Sequence, residues 1–226
     1  MIKENLHIAM IMDGNRRWAV ANGKNKLLGH KAGAEKLKEV IKWCVDIKSR
    51  ALTLYTFSTE NFNRSKEEIE SLFKLFRSYF KDLLESKEVT ENNIKIKFLG
   101  KLDMFPDDLR QQMLEANEKT KDHSGLNLNF CVAYGGHQEI IDAVNKILKL
   151  GKESITEEEF EDYLYLKDQP DLVIRTGGAV RLSNFLSWQT AYSEWFFVDD
   201  YWPGLTKETF DGILEQFQER QRNFGK

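Results

Sequence analysis

Three prolines and two cysteines are all that 226 residues contain of either type. So little proline leaves no Pro/Ser-rich linker, and with no internal repeat or low-complexity tract the chain reads as one domain over residues 1–226. Cys44 falls in a helical pattern and Cys131 in a strand pattern. They read as buried core thiols, and a disulfide or a metal site is not expected. Long apolar runs are missing too: none approaches the ~18 residues of a membrane span. The apolar stretch near the N-terminus is about five residues long with no cleavage site, so no signal peptide is expected. Charge is nearly balanced, at a formal net of −3. A nucleic-acid binder is usually basic, so none is expected as a partner. The chain is expected in the cytoplasm, with any membrane contact peripheral.

Short apolar runs alternate with helical patterns from end to end. The expected fold class is therefore α/β, a mainly parallel sheet of about six strands flanked by helices. Strands are predicted at residues 8–12, 51–57, 94–99, 126–133, 172–174 and 195–198. Leu37, Val40, Ile41 and Cys44 predict a helix over His30–Lys48. Ser65 followed by Glu68 forms a capping-box pattern ahead of Ile69, Leu72, Phe73, Phe76, Phe80, Leu83 and Leu84. Pro106 predicts a helix start before Leu109, Met113 and Ala116. Thr156 and Glu159 form a second capping box before Phe160, Tyr163 and Leu164. Phe210, Ile213, Leu214 and Phe217 give the inner face of a last helix, Thr206–Arg222. The polar stretch Gly151–Gln169 reads as a surface excursion.

Three cationic or amide-bearing clusters each follow an apolar run, where an open α/β sheet binds its ligands. The first is Asp13, Gly14, Asn15, Arg16, Arg17 and Trp18, with Lys24, Lys26, His30 and Lys31 beyond. A lone carboxylate there can hold Mg²⁺, which takes its other ligands from waters and substrate phosphates. An aspartate helix cap with a solvated basic face explains the same residues equally well. The second is Ser58–Arg64, in which Asn61 can orient or relay a proton and Arg64 can pair with a phosphate; a polar loop leading to the Ser65 cap is the alternative. The third is Arg175, Gly177, Gly178, Arg181 and Ser183, able to grip a diphosphate through two guanidinium forks, a hydroxyl and backbone N–H groups. Glu194 precedes the last strand and can reach a metal or simply face solvent. The stripe Phe73, Phe76, Tyr79 and Phe80 is either core packing or one wall of a hydrocarbon cleft.

The segments 7–18, 29–33, 52–61, 181–185 and 192–194, with Trp202-Pro203, resemble the cis-prenyltransferase family, the undecaprenyl diphosphate synthases (isoprenyl transferases) in particular. The motifs keep the family's order from residue 7 to about residue 225. The resemblance implies Mg²⁺-dependent condensation of isopentenyl diphosphate onto an allylic diphosphate, farnesyl or geranylgeranyl. Its product would be a long cis-polyprenyl diphosphate that becomes a lipid carrier for glycan or cell-wall synthesis. It also implies a homodimer and a hydrophobic tunnel between sheet and helices, with Ala51, Phe73, Phe76, Leu99 and Met113 as candidates to shape it. On matching motifs Asp13 would hold Mg²⁺ and assist departure of the leaving group, and Asn61 would accept the proton. Gly14, Asn15, Arg16, Arg17, Trp18, Lys26 and His30 would bind the allylic substrate. Ser58, Thr59, Glu60, Phe62 and Arg64 would line the reacting end. Arg175, Arg181, Leu182 and Ser183 would bind the second diphosphate, and Glu194 would be a second metal ligand.

The chain departs from the family pattern in places. Lys26 stands where arginine is usual and lacks its fork. Gly177-Gly178-Ala179 replaces Ser-Gly-Glu, which removes a carboxylate. Asn223 stands where arginine is common. Two other readings remain on sequence alone. A haloacid-dehalogenase-like phosphatase also starts with a strand ending in Asp, but needs a second acid where Asn15 stands. An inactive partner subunit of the same family is the other, against which Asp13, Asn61, Arg64 and Arg175 argue.

Overall fold

Strands that read apolar on both faces belong inside a parallel sheet, and that is where they lie. The structure is a computed structural model describing residues 4–220. It runs β1 (His7–Ile11), α1 (Asn15–Ala21), α2 (Lys26–Asp46), β2 (Ala51–Ser58), α3 (Lys66–Leu84), α4 (Lys87–Glu91) and β3 (Lys95–Leu99). It continues with α5 (Asp107–Lys119), β4 (Asn127–Tyr134), α6 (Gly136–Lys149), α7 (Glu157–Glu161), β5 (Leu172–Arg175), β6 (Glu194–Phe197) and α8 (Lys207–Glu219). The six strands form one sheet in the order β3-β4-β2-β1-β5-β6, with every pair parallel. From β1 the chain crosses to β2 on one side, while β5 arrives on the other. The cleft above the β1–β5 junction is thus a topological switch point, where ligands of open α/β sheets bind. Ile11 pairs with Arg175 there, which brings the first and third sequence clusters together.

The helices follow their caps more closely than their apolar periodicity. The helix predicted from His30 begins four residues earlier, because the Asn25 side chain accepts a hydrogen bond from Leu28 N and nucleates α2. Ser65 caps α3 as expected, accepting from Glu68 N. Glu68 directs its carboxylate instead to Arg16 and Arg64. Pro106 occupies the N-cap of α5 and not its first turn. The Thr156–Glu159 capping box forms in both directions. The helix it starts ends at Glu161, so Tyr163 and Leu164 lie beyond it. The predicted surface excursion is only partly one, since Phe160 and Leu164 pack with Ala143 and Ile147 of α6. Helix α6 itself was not predicted: its N-cap, Gly135, has no side chain with which to announce a start. Helix α8 buries Phe210, Ile213, Leu214 and Phe217 as expected. Its predicted end at Arg222, and Asn223, lie outside the described residues.

The main core lies between the sheet and the face formed by α2, α3, α5 and α8, and is rich in phenylalanine. Both cysteines are free and buried. Burial pushes the Cys44 thiol up to about 12, far from any thiolate chemistry.

Candidate active site

Asp13 follows β1 directly and organises the cleft. Its Oδ2 receives Arg175 Nη2 at 3.0 Å and its Oδ1 receives Arg17 Nη2 at 3.1 Å. Burial would push the carboxyl up, but the Arg175 hydrogen bond and the two guanidinium charges prevail and hold it below its ordinary value. It is therefore an ionised carboxylate at neutral pH. The Asp13 side chain caps no helix: Gly14 takes the N-cap of α1 at φ 104 with no side-chain bond. A Cβ at Gly14 would lie 2.8 Å from the Tyr201 ring. The sequence alternative of a plain aspartate cap is thereby excluded.

Arg175 is buried at 3 % exposure, and its fork is aimed by the loop after β5. Nη1 donates to Arg181 O at 2.6 Å and to Ser183 Oγ at 2.7 Å. Ser183 and Asn184 hold left-handed backbone, φ 51 and 60, a conformation that L-residues keep only where the surroundings enforce it. The Gly177 and Gly178 amides, expected to grip an anion, instead donate to Asp200 O and Val198 O at 2.7 and 2.9 Å. Gly177 is needed for closeness: at φ 86, its Cβ would lie 2.6 Å from Arg17 Nη2.

On the other side of the cleft Glu68 accepts from Arg16 at 3.3 Å and from Arg64 at 3.1 Å, tying α1 to α3. His30 stands beside them. Burial first, then the Arg64 and Arg16 charges, draw its imidazole down to about 4 against the opposing pull of Glu68. Asn15 donates to Met12 O and packs its amide on Gly33, where a Cβ would approach Oδ1 to 2.1 Å. Asn15 Oδ1, His30 Nε2 and Arg175 Nε are buried without a hydrogen-bond partner. Buried polar atoms are rarely left so, and three around one cleft point to a polar ligand that completes them.

These groups open onto a cavity of about 690 Å³ that runs from the charged mouth down between α3 and the sheet. Asp13, Asn15, His30, Ser58, Glu60, Asn61, Arg64, Arg175, Arg181 and Ser183 line it. Gly14, Arg16, Arg17, Trp18, Lys26, Thr59, Phe62 and Leu182 do not, although Arg16 and Arg17 hold lining residues through their ion pairs. Lys26 is exposed in the first turn of α2, and Phe62 packs edge-on against Phe57. Asn61 lines the cavity, but its Oδ1 already accepts Ser58 N at 3.1 Å, closing the turn after β2. Of the five candidates for tunnel shape only Phe76 lines the cavity. Ala51, Phe73, Leu99 and Met113 are buried elsewhere, whereas Leu72, Leu75, Tyr79, Phe80 and Phe130 form the apolar wall.

Glu194 is a correction. It opens β6 opposite Leu172, at the amino end of the sheet, while Asp13 lies past the carboxyl end of β1. Three strand residues, roughly 10 Å, separate the level of Glu194 from that of Arg175. Its carboxylate receives Arg220 at 2.6 Å. Within one chain it therefore cannot share a metal with Asp13. Among the described residues no group of three or more His, Cys, Asp or Glu side chains gathers to cage a cation. One ionised carboxylate at a guanidinium-lined mouth still suits Mg²⁺, which needs few protein ligands when phosphates supply the rest.

Sequence reasoning passed over four supporting residues. Thr176 donates its hydroxyl to Asp13 O at 2.8 Å. Tyr55 donates to Ser183 O and stacks on Phe185 at 4.7 Å. Asn184 accepts His137 N, and Trp202 donates to Gly33 O. Thr176 and Asn184 stand beside named site residues, and Tyr55 and Trp202 lie within the resembling segments, but the contacts that give all four their roles are tertiary.

Known proteins resemble this chain over nearly its whole length. A tritrans,polycis-undecaprenyl-diphosphate synthase (geranylgeranyl-diphosphate specific) of Thermococcus kodakarensis is 48 % identical, over 97 % of this chain and 86 % of its own. An isoprenyl transferase of Fusobacterium nucleatum is 44 % identical, over 97 % and 95 %. The crystal structure of lavandulyl diphosphate synthase from Lavandula x intermedia, in complex with dimethylallyl diphosphate, superposes with a TM-score of 0.89 at 31 % identity, covering 97 % of this chain and 98 % of that one. The prenyltransferase family model, that of the undecaprenyl diphosphate synthases, matches residues 11–225, and the chain belongs to this cis-prenyltransferase family.

Proposed function

We propose that the protein condenses isopentenyl diphosphate with an allylic diphosphate to give a cis-polyprenyl diphosphate, a lipid-carrier precursor. The observation that carries this reading is one cavity with a cationic, polar-orphaned mouth and an apolar interior, the shape of a diphosphate ester with a hydrocarbon tail. Geranylgeranyl diphosphate is the favoured primer, because the Thermococcus relative is named for that specificity.

In the reaction the allylic C–O bond breaks, diphosphate leaves, the alkene carbon of isopentenyl diphosphate bonds to the allylic carbon, and one proton is lost. Mg²⁺, when bound, neutralises charge that develops on the leaving diphosphate. Asp13 would hold it, kept ionised by Arg175 and Arg17. His30, Arg16 and Arg64 would bind the allylic diphosphate, the guanidiniums passing from Glu68 to the phosphate oxygens. Arg175, Arg181 and Ser183 would orient the second substrate. Asn61 at the turn after β2 is the proposed proton acceptor, and such a step needs only a weak base close to the carbon. Tyr55, Phe57 and the α3 wall exclude water from the allylic cation.

A homodimer and a peripheral membrane contact belong to the same proposal. Ile141, Val144 and Leu148 form an exposed apolar stripe on α6 suited to a second copy. Val20, Leu27 and Leu28 are exposed among Lys24, Lys26 and Lys31, a lip suited to an anionic bilayer. No helix among the described residues is long and apolar enough to cross a membrane. The test is incubation with geranylgeranyl or farnesyl diphosphate, radiolabelled isopentenyl diphosphate and Mg²⁺. Labelled cis-polyprenyl diphosphates that disappear with chelator support the reading; no incorporation with either primer rejects it.

A further inference from the structure

Helix α6 begins without a cap of its own. Gly135 holds its N-cap and has no side chain, so the first amides of the helix need acceptors from elsewhere. Asn184, far along the chain in the loop after β5, supplies two. Its backbone carbonyl accepts Gly136 N at 2.7 Å, and its side-chain Oδ1 accepts His137 N at 2.9 Å.

The other half of the same amide faces the reacting end. A backbone N–H can only donate, so the Asn184 oxygen turns to His137 and its NH2 is left as a donor. Nδ2 lies over Gly135, where a Cβ would approach it to 2.8 Å and Thr59 Oγ1 to 3.3 Å. Glu60 is its acceptor. Burial opposes ionisation of Glu60, but its own amide, the Ser58 and Thr59 hydroxyls and the Asn184 side chain donate to it and hold its carboxyl below the ordinary value. Glu60 and Asn184 both line the cavity.

Asn184 also fixes its neighbour. Ser183, Asn184 and Leu186 all hold left-handed backbone, at φ 51, 60 and 45, which persists only where the surroundings enforce it. Val180 and Leu182 are 76 % and 44 % exposed, so the outer side of the loop faces solvent. The loop is held from its inner side. Asn184 seats it on α6, the Tyr55 hydroxyl lies 3.2 Å from Ser183 O, and Arg175 Nη1 donates to Arg181 O and Ser183 Oγ. Arg175 in turn reaches Asp13.

We propose that Asn184 is a positioning residue for the second substrate. Through the amino end of α6 it fastens the Ser183–Arg175 grip to the turn that carries Glu60, Asn61 and Arg64, and so sets the two substrates at a fixed separation. It acts through Ser183 and Glu60, because its own polar atoms are taken up by the protein. The inference rests on the prenyltransfer reading above, which gives that grip to isopentenyl diphosphate.

The experiment compares wild type, Asn184→Asp and Asn184→Gly in steady-state incorporation, with each substrate varied in turn, and in urea unfolding. Both replacements tolerate positive φ, so neither strains the backbone. Asp keeps the acceptor for His137 N and places negative charge at a helix start, so its urea midpoint should equal or exceed that of wild type. It loses the donor and sets a second carboxylate against Glu60. Its KM for isopentenyl diphosphate should rise by about 10- to 100-fold, with the allylic KM within about twofold of wild type. Gly loses acceptor and donor together, so its urea midpoint and its affinity for isopentenyl diphosphate should both fall with no charge added. An isopentenyl KM within about twofold of wild type in both variants overturns the proposal. So does a rise confined to Asn184→Asp, which is repulsion of an anion alone, or an equal rise for both substrates, which is a general loss of structure. No incorporation by wild type rejects the prenyltransfer reading by itself. Calorimetric titration with inorganic diphosphate then decides the role of Asn184: weaker binding in both variants supports it, and any other pattern overturns it.

Discussion

At the carboxyl end of the sheet Arg175 meets Asp13; at the amino end Arg50 meets Asp168 and Asp171. Both are guanidinium–carboxylate clusters in which a long sequence separation is bridged by side chains. Arg50 donates to Asp171 Oδ2 at 2.6 Å, to Asp168 at 3.2 and 3.3 Å, and to the Asn5 and Gln169 carbonyls. His7, fully buried, joins them, with Nε2 2.7 Å from Thr53 Oγ1 and Nδ1 3.0 Å from Asp168 Oδ2. In that cluster the carboxylates face cations and the guanidinium faces carboxylates and carbonyls, while His7 Nδ1, buried without a hydrogen-bond partner, lies within ion-pair distance of Asp168. The Asp13 cluster faces a cavity and leaves Arg175 Nε, Asn15 Oδ1 and His30 Nε2 unpartnered. Charge density alone does not separate the two. What separates them is that the unpartnered groups of the Asp13 cluster gather around a cavity with an apolar interior.

The largest expected effect follows from exchanging the two ends. Asp13→Ala should lower isopentenyl incorporation by about 10²–10³-fold or more, the scale of removing a preorganised electrostatic group. Asp168→Ala should leave incorporation near wild type and lower stability by about 1–3 kcal/mol, since it strips partners from buried groups. Parallel activity assays and urea unfolding of the two variants make the comparison. Equal losses of activity would mean that the amino end also serves the reaction.

Gly177→Ala comes next and acts by crowding. A Cβ would meet Arg17 Nη2 at 2.6 Å, from a backbone at φ 86. About 1–3 kcal/mol of stability is expected to be lost through the strained backbone. Arg17 would also turn away from Asp13, so the KM for the allylic substrate should rise. Gly151→Ala is the control: it too has positive φ, at 68, but nothing lies within 4 Å of its Cβ. It should lose stability alone.

How much of this was legible in the sequence depends on the range of the interaction. The strands were, because burial on both faces writes itself as unbroken apolar runs such as Ile8–Met12, of which β1 takes Ile8–Ile11 together with the buried His7. Asp13, Arg175 and Ser183 were, because each follows such a run and small or cationic residues gather there. Helix α6 was not, because Gly135 offers no cap. Glu194 was placed with the metal because motif order carries no information about which end of a strand a residue occupies; β6 runs parallel to β5 and puts it at the far end. The apolar wall of the cavity was half legible. The α3 stripe was visible as a stripe, but Phe130 and Phe98 come from β4 and β3, and only packing shows that they meet Phe80. The Tyr55 hydroxyl on Ser183 O spans 128 residues, a contact that local pattern cannot register.

A smaller effect should distinguish the two clusters by pH. Burial opposes ionisation of Asp168, but His7 and Arg50 overcome it and hold its folded pKa below the ordinary carboxylate value. A group lowered in this way adds stability above its unfolded pKa of about 4, and that stability is lost as pH falls through the folded value. Wild type should therefore lose unfolding free energy below about pH 4 faster than Asp168→Asn, which has no proton to take up there. Parallel slopes for the two in urea titrations between about pH 2 and 6 would show that the amino-end cluster is not what acid weakens.

The smallest effect belongs to His30, and it asks whether the orphaned mouth binds an anion at all. Free, its imidazole is held at about 4, so it is neutral across the working range. A diphosphate placed against Nε2 favours the imidazolium and raises that pKa in the complex. A group with a higher pKa in the complex takes up a proton on binding, so affinity must strengthen as pH falls. The diphosphate has protonation equilibria of its own, and these cancel in the ratio of wild type to His30→Asn. That ratio, from calorimetric titration with inorganic diphosphate, should move by about two- to threefold in favour of wild type between pH 8 and pH 6. A flat ratio would place the diphosphate away from His30, on Arg16 and Arg64 alone, and the mouth would then be narrower in chemistry than its three unpartnered atoms imply.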